Sequence, residues 1–98
     1  MAQFQVYRIS RDRLVLDLQT NLVETGSRVV APLLPQSEGP RPITRLEPVL
    51  EIDGTSYVLH TAEMAAIPSQ LLRGKAIADM TGFEYEIRNA LDMVFSGF

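Results

Sequence analysis

The last stretch of the chain, residues 81–98, carries the strongest structural signal in the sequence. It opens with a Ser/Thr-x-x-Glu capping box, in which the Thr81 hydroxyl and the Glu84 carboxylate each accept a hydrogen bond from the other residue's amide. Met80 and Tyr85 stand where a hydrophobic staple forms across a helix start. Apolar residues then recur at helical spacing, namely Phe83, Ile87, Ala90, Leu91 and Val94. The pattern predicts a helix that begins at the capping box and packs one apolar face against the rest of the protein.

The chain ends on an apolar segment, Phe95-Ser96-Gly97-Phe98, although chain ends are usually polar and tend to fray in water. In one interpretation, Phe95 and Phe98 seal the edge of a small core. In the other, the tail is a binding epitope displayed at the end of a rigid helix. The spacing of these residues does not separate the two interpretations.

The length of the chain, residues 1–98, suits one domain and is too short for two. Such a chain buries roughly 60–65% of its unfolded surface on folding, so the core is modest and dimerisation would add to it. Hydrophobic residues make up 46% of the chain and charged residues 21%, which is a globular rather than a disordered composition.

Composition also excludes several classes of protein. The chain has no cysteine, so disulfides and thiolate metal sites are excluded, and the sequence suits a reducing cytoplasm. No signal peptide is visible, and no apolar run approaches the roughly 20 residues that a membrane span needs. The net charge of −3 argues against this chain alone gripping nucleic-acid phosphates.

Alternating and apolar runs predict several short strands before the helix. Residues 3–9 alternate, with Tyr7 on the outer face, and residues 14–20 alternate with their leucines inward, so the two runs read as an antiparallel pair. Residues 29–34 are continuously apolar, which predicts a strand buried on both faces, and Pro32 within them marks an edge or a bulge.

Turn residues divide the second half of the chain. Asp53-Gly54 predicts a tight hairpin between strands at 49–52 and 57–61, because both central positions of a type I′ turn need positive φ. Residues 62–72 suit a helical turn interrupted by Pro68, and residues 75–79 suit a last short strand or an extended lead-in. The sequence therefore predicts a mainly β fold with one long C-terminal helix, built as a strongly curved antiparallel sheet or partly open barrel.

No residue pattern indicates catalysis, a metal or a cofactor. His60 is the one histidine and has no nucleophile motif around it, and a single histidine without cysteine cannot hold zinc. The glycines are dispersed, so no phosphate-binding loop is present. Glu84 and Glu86 point in different directions on the predicted helix and read as a solvated face. These observations favour an interaction protein over an enzyme.

The loop at 21–27 carries an apolar pair, Leu22-Val23. In one interpretation the pair anchors the loop to its own core. In the other it contacts a partner.

The order of several short motifs resembles the CcdB family, the toxins of bacterial CcdA/CcdB toxin–antitoxin modules. The match runs nearly end to end at almost equal length. The matching residues are Gln3-Phe4-x-Val6-Tyr7, Asp17-x-Gln19, Arg28-x-Val30-x-Pro32-Leu33, Tyr57 to Thr61, Met64-Ala65-x-x-Pro68, Ala78-Asp79, Ile87-x-Asn89-Ala90 and Phe95-x-Gly97.

The resemblance implies an SH3-like antiparallel barrel with a long C-terminal helix, assembled as a homodimer. It also implies a function without enzymatic activity. CcdB proteins bind the A subunit of DNA gyrase and trap the enzyme on cleaved DNA. A CcdA antitoxin wraps its disordered segment over the toxin, and together the two proteins repress their own operon, with CcdA supplying the DNA contacts.

The resemblance carries a gyrase-binding surface onto this chain. That surface comprises the loop pair, one helix position with its supporting aromatic residue, and the tail, that is Leu22, Val23, Asp92, Phe95, Ser96, Gly97 and Phe98. Three residues depart from the familiar pattern. Ser96 replaces a tryptophan expected to stack on a gyrase arginine, an interaction worth about 0.5–2 kcal/mol, Phe98 replaces an isoleucine, and Asp92 replaces an asparagine.

Two alternatives stay open. The barrel is shared with the MazF/Kid-type mRNA endoribonucleases, which need acid–base and cationic groups in one groove, and Asp17 and Arg28 are the candidates here. The other alternative is an attenuated relative that binds antitoxin without poisoning gyrase, which the departures at Asp92 and Ser96 would suit.

Overall fold

The backbone forms one strongly curved antiparallel sheet, and a helix follows it at the end of the chain. The computed structural model describes residues 2–97. The regular elements are β1 (Gln5–Ser10), β2 (Arg13–Asp17), β3 (Ser27–Pro35), β4 (Val49–Ile52), β5 (Thr55–Leu59), β6 (Ala65–Pro68), β7 (Ala78–Asp79) and α1 (Glu84–Ser96). Strand order is β4-β5-β3-β2-β1-β7, with β6 also paired to β3. This nearly closed barrel with one C-terminal helix confirms the predicted fold class.

Strand β3 organises the sheet because it pairs with three other strands. One edge pairs with β2, and the other edge is shared by β6 and then β5. The Pro32 carbonyl accepts a hydrogen bond of 2.9 Å from the His60 N–H. The backbone nitrogen and carbonyl of a strand residue face the same edge of the strand. The Pro32 nitrogen, which has no hydrogen to donate, therefore faces the gap between β6 and β5, where no ladder bond is lost.

The hairpin between β4 and β5 forms where the sequence predicts it. Asp53 and Gly54 have φ values of 51° and 80°, as a two-residue type I′ turn requires. Ile52 pairs with Thr55 directly beside the turn. The register places Leu50 and Ile52 in the core.

Both faces of the β1–β2 pair are covered, which the alternation did not predict. The inner face joins the main core, which includes Val6, Leu14, Leu16 and Ile87. Tyr7, expected on the outer face, is also buried, because a second cluster covers that side. This cluster contains Tyr7, Val15, Val30 and Leu72. Leu72 reaches it from a 3₁₀ turn far along the chain, and a local pattern does not encode that contact.

The helical turn predicted over residues 62–72 is wrong in its centre. The segment contains β6, which pairs with residues 27–30 of β3, flanked by 3₁₀ turns at Thr61–Glu63 and Ser69–Leu72. Pairing to β3 outweighs the helical propensity of the alanines, and Pro68 stands at the strand end, where its missing donor is tolerated. The short strand considered within 75–79 forms as β7, paired with β1.

The capping box predicted at the helix start does not form. A 3₁₀ turn spans Thr81–Phe83, and α1 begins at Glu84 without a side-chain cap. Thr81 instead donates its hydroxyl and its amide to the Asp79 carboxylate. Aspartate often bonds the backbone two residues on, and here it takes the hydroxyl that the box needs. Tyr85 is 76% exposed, so the predicted hydrophobic staple with Met80 does not form.

One face of α1 packs on the barrel. Ile87 and Ala90 are fully buried and Leu91 is partly buried against the main core. The Arg88 guanidinium lies 5.5 Å from the centre of the Phe4 ring, which adds a cation–π contact between the helix and the segment before β1. No helix within residues 2–97 is long and apolar enough to cross a membrane.

Candidate functional site

The loop between β2 and β3 exposes its apolar pair. Leu22 is 93% exposed and Val23 is 47% exposed. The interpretation of this pair as an anchor to its own core is therefore wrong. Burying a leucine is worth about 1.5–3 kcal/mol, so a leucine left in water is available to a partner surface.

The end of α1 also presents an apolar side chain to solvent. Phe95 is 74% exposed, and Asp92, Ser96 and Gly97 are exposed beside it. The interpretation in which Phe95 seals the domain edge is wrong. Phe98, the last residue of the predicted surface, lies outside the described residues.

The last turn of α1 ends in a defined conformation. Gly97 adopts a left-handed φ of 81°, and its N–H donates to the Met93 carbonyl at 2.9 Å. This geometry closes a helix and favours glycine, because other residues are strained at positive φ. The helix is thus regular up to Ser96, and Phe95 is presented from an ordered turn.

A buried ion pair lies beneath the β2–β3 loop. Arg28 Nε donates to Asp17 Oδ2 at 3.0 Å and Arg28 Nη2 to Asp17 Oδ1 at 3.1 Å, and the side chains are only 2% and 0% exposed. Burial raises the pKa of the Asp17 carboxyl, and the hydrogen bonds from Arg28 oppose that rise. Within residues 2–97, no buried side-chain nitrogen or oxygen lacks a partner, so the pair is fully satisfied.

Gln19 connects this ion pair to the loop. Its backbone N–H donates to Asp17 Oδ1 at 3.1 Å, and its carbonyl accepts from Arg28 Nη2 at 2.8 Å. Its side-chain oxygen accepts from the Val29 N–H at 3.0 Å, and its side-chain nitrogen donates to the Val23 carbonyl at 2.8 Å. The Asp17-x-Gln19 spacing in the sequence does not by itself indicate this role.

The predicted surface falls on two separate supports. Gln19 links Val23 of the loop to the Asp17–Arg28 pair, and Phe95 lies in the last turn of α1, a helix whose buried face packs on the barrel. Across the part of the chain that the structure describes, no hydrogen bond joins the loop to the last turn of α1. Each support therefore presents its apolar residue independently.

The candidate acid–base groups are occupied by structural contacts. Asp17 and Arg28 are buried against each other, so neither is open to an RNA phosphate. His60 Nδ1 lies 3.1 Å from Glu47 Oε2 and 3.6 Å from Glu63 Oε2. Glu47 also accepts the Ile43 N–H, so this cluster ties the segment before β4 to the end of β5. Within residues 2–97, no group of three or more histidine, aspartate and glutamate side chains is arranged so that it could hold a metal ion.

A cavity of about 560 Å³ lies beside the β1–β2 hairpin tip. Its lining combines Arg11 and Arg13 with Asp12 and Glu63, all on the surface. A second groove of about 380 Å³ lies between the segment before β4 and α1. Neither includes Leu22, Val23 or Phe95, so these residues project from the surface instead of lining a cleft.

Comparison with solved structures finds the same fold in other proteins. One similar structure is an endoribonuclease in complex with its cognate antitoxin from Mycobacterial species, with a TM-score of 0.77, 17% identity, and coverage of 97% of this chain and 94% of that chain. Another is an endoribonuclease from Mycobacterial species, with a TM-score of 0.77, 18% identity, and coverage of 97% and 90%. At these identities the likeness establishes the fold.

Comparison with protein families gives the closer assignment. The family described as CcdB protein matches residues 3–97, nearly the whole chain. The match spans both the β2–β3 loop and α1, the two supports described above. The chain therefore belongs to the CcdB family of toxins from toxin–antitoxin modules.

Proposed function

We propose that this chain is a toxin without enzymatic activity that binds the A subunit of DNA gyrase and traps the complex of gyrase with cleaved DNA. The proposed contacts are Leu22, Val23, Asp92, Phe95, Ser96, Gly97 and Phe98. The observation that carries the proposal is the exposure of Leu22 and Phe95, each on an ordered support. Large apolar side chains held in water on rigid elements are typical anchors for a protein partner.

The proposal includes a homodimer that presents these residues in duplicate. A two-fold toxin matches a two-fold target, so the same contact is made twice by symmetry. Two weak contacts joined in one assembly bind more tightly than either alone, provided that both reach their sites. This multiplicity would offset the loss of tryptophan stacking at Ser96.

We propose that the protein has no catalytic activity because the candidate acid–base residues, Asp17 and Arg28, are already engaged in hydrogen bonds. Arg28 donates hydrogen bonds to the Asp17 carboxylate and to the Gln19 carbonyl. A general base must reach the proton it abstracts within about 2.6–3.2 Å, and a buried carboxylate cannot do so.

The proposed cellular partner is a CcdA-like antitoxin, which neutralises the toxin and joins it in repressing the operon. With a net charge of −3, the toxin would contribute little phosphate binding, so operator DNA would be gripped through the antitoxin. The proposed location is the cytoplasm, where gyrase and its DNA lie.

The test uses two exposed aromatic residues of α1. Phe95→Ala should abolish the accumulation of gyrase-cleaved plasmid when purified protein is mixed with gyrase, ATP and supercoiled DNA. Tyr85→Ala is the matched control, because Tyr85 is similarly exposed near the other end of the helix, and it should leave trapping unchanged. Deletion of residues 97–98 should act like Phe95→Ala. Full trapping by the folded Phe95→Ala and deletion variants would refute the proposed surface.

An mRNA endoribonuclease is the second candidate, and the similarity to endoribonuclease folds favours it. The cavity at the hairpin tip, with Arg11, Arg13 and Glu63, is where exposed cationic and acidic groups meet. RNA cleavage by the same preparation, lost in Arg13→Ala, would support this reaction. A protein that binds antitoxin but produces neither cleaved plasmid nor cleaved RNA would be the attenuated relative.

A further inference from the structure

We propose that Gln19 is a positioning residue, which transmits the rigidity of the buried Asp17–Arg28 pair to the exposed Leu22-Val23 segment. The inference deepens the proposed function and rests on it for the identity of the partner. Its structural part concerns the loop alone and holds for any partner.

The side chain of Gln19 is fixed at both ends of its amide group. The oxygen accepts the Val29 N–H from β3, and the nitrogen donates to the Val23 carbonyl in the loop. An amide oxygen can only accept and an amide nitrogen can only donate, so the two partners also fix its orientation. The loop is thereby held to the central strand of the sheet.

The backbone of Gln19 is fixed by the ion pair. Its N–H donates to Asp17 and its carbonyl accepts from Arg28, both of which are buried. A hydrogen bond to a charged group is worth about 1.5–3 kcal/mol, more than a neutral one. Gln19 therefore starts from a rigid base, and its side chain reaches outward from that base to Val23.

The middle of the loop has few other restraints. The Val23 N–H reaches the Thr20 carbonyl only at 3.4 Å, and the Leu22 N–H reaches the Thr20 hydroxyl at 3.3 Å. Both distances exceed the usual 2.7–3.2 Å of an N–H···O bond. The 2.8 Å bond from Gln19 to Val23 is the shortest restraint described for this pair.

The two ends of the loop are held separately. The Asn21 side chain accepts from the Gln3 N–H at 2.9 Å, and the Gly26 carbonyl accepts from the Ser69 N–H at 3.0 Å. Loss of the Gln19 bond would thus free the centre of the loop without detaching its ends. A partner would then have to order this segment on binding, which lowers affinity without removing any contact residue.

The test compares two substitutions with a matched control. Gln19→Ala removes both side-chain bonds, whereas Gln19→Glu keeps an acceptor for the Val29 N–H and removes the donor to Val23. Gln70→Ala is the control, because Gln70 is exposed in a surface turn and makes no described hydrogen bond. Backbone amide exchange is followed residue by residue in the dimeric, folded protein, and binding to the purified A subunit of gyrase is measured in parallel.

Exchange at residues 20–24 should accelerate at least tenfold in both Gln19 variants and stay at the parent rate in Gln70→Ala. The Val29 amide should lose protection in Gln19→Ala and keep it in Gln19→Glu. Affinity for the A subunit of gyrase should fall about tenfold in both Gln19 variants, the cost of ordering roughly one residue.

The outcomes separate this inference from the proposed function. Unchanged exchange at residues 20–24 in both Gln19 variants overturns the positioning role, whatever binds the loop. Accelerated exchange with unchanged affinity for gyrase overturns its link to recognition. A parent protein that does not bind gyrase refutes the proposed function, while the exchange measurement still decides whether Gln19 orders the loop.

Discussion

The β2–β3 loop and the end of α1 both expose an apolar residue, yet opposite kinds of interaction hold them in place. Beneath the loop lies a buried ion pair that reaches Val23 through Gln19. Beneath the helix end lie packed apolar residues, including Ile87 and Ala90, with a glycine that closes the last turn. The hydrogen-bonded ion pair beneath the loop is stable only if every partner is present. The packed side chains beneath the helix end lose stability in proportion to the apolar area that a substitution removes.

The β2–β3 loop and the end of α1 should therefore differ in how well they tolerate substitutions in the residues beneath them. Removing one member of a buried charged pair leaves the other charge uncompensated, which costs far more than the pair contributes. Shortening an apolar side chain costs only its transfer energy and the cavity left behind. Substitutions can therefore disturb either support while leaving the other as a reference.

The largest expected effect comes from Arg28→Met. It leaves the Asp17 carboxylate buried without its partner, so the free energy of unfolding should fall by about 3–5 kcal/mol. The double variant Asp17→Leu/Arg28→Met should recover most of that loss, because a well-packed apolar pair replaces a desolvated one. Urea unfolding followed by circular dichroism measures both values.

Arg73→Met provides the matched control, because Arg73 is exposed and makes no described ion pair. It should change the unfolding free energy by less than about 0.5 kcal/mol. The double variant should still show fast amide exchange in the loop, since Gln19 has lost both charged backbone partners. A loss below about 1 kcal/mol in Arg28→Met would show that the fold tolerates Asp17 without its buried partner, and parent-like loop exchange in the double variant would show that the loop does not depend on the ion pair.

An intermediate effect is expected at the other support from Gly97→Ala. An added Cβ would meet no atom within 4 Å, so the cost comes from the positive φ alone, about 1–2 kcal/mol. Amides of the last helical turn should exchange faster while the loop amides keep the parent rate. Gly39→Ala, at an ordinary φ of −121° and with equal free space, should be near neutral. Equal effects of the two substitutions would exclude backbone strain at Gly97.

The smallest expected effect concerns the start of α1 and depends on pH. Hydrogen bonds from Thr81 lower the pKa of the Asp79 carboxyl below its ordinary value. A carboxyl with a lowered folded-state pKa stabilises the fold above about pH 4, and this contribution is lost as the pH falls through the folded-state value. Asp79→Ala should thus be less stable than the parent at pH 7, with the difference shrinking below about pH 4.

Thr81→Val sharpens the same measurement, because it removes the hydroxyl bond and keeps the backbone bond. It should reduce the pH-dependent difference without abolishing it. Unfolding curves at several pH values between 2 and 7 give the comparison. A difference between Asp79→Ala and the parent that is constant over this range would contradict the role of the ionised carboxylate.

Features that depend on adjacent residues were predicted well from the sequence. The Asp53-Gly54 hairpin formed as expected, because two consecutive positive φ values are set by the turn residues themselves. The barrel with a terminal helix followed from the number of short strands and from the resemblance. The predicted helix start was wrong: the N-cap is Phe83, two residues after the expected Thr81, and Asp79, which lies outside the expected motif, binds Thr81.

Features that depend on distant contacts could not be predicted. Tyr7 is buried in a cluster that includes Leu72, which comes from a turn far along the chain. The exposure of Leu22 and Phe95 could not be separated from burial by spacing, since an apolar residue has the same pattern in a core and on a binding surface. The role of Gln19 could not be predicted because its four partners are brought together only by the folded geometry of β2, β3 and the loop.

The proline in the middle of β3 has a consequence for how so short a chain wraps around its core. Pro32 offers no donor at the point where the edge of β3 changes partner, with β6 paired before it and β5 after it. Each branch is free to curl separately, since no continuous ladder forces both to share one twist. One proline thus marks the place where the sheet divides into two branches, and this division lets a short chain close a curved sheet around its core.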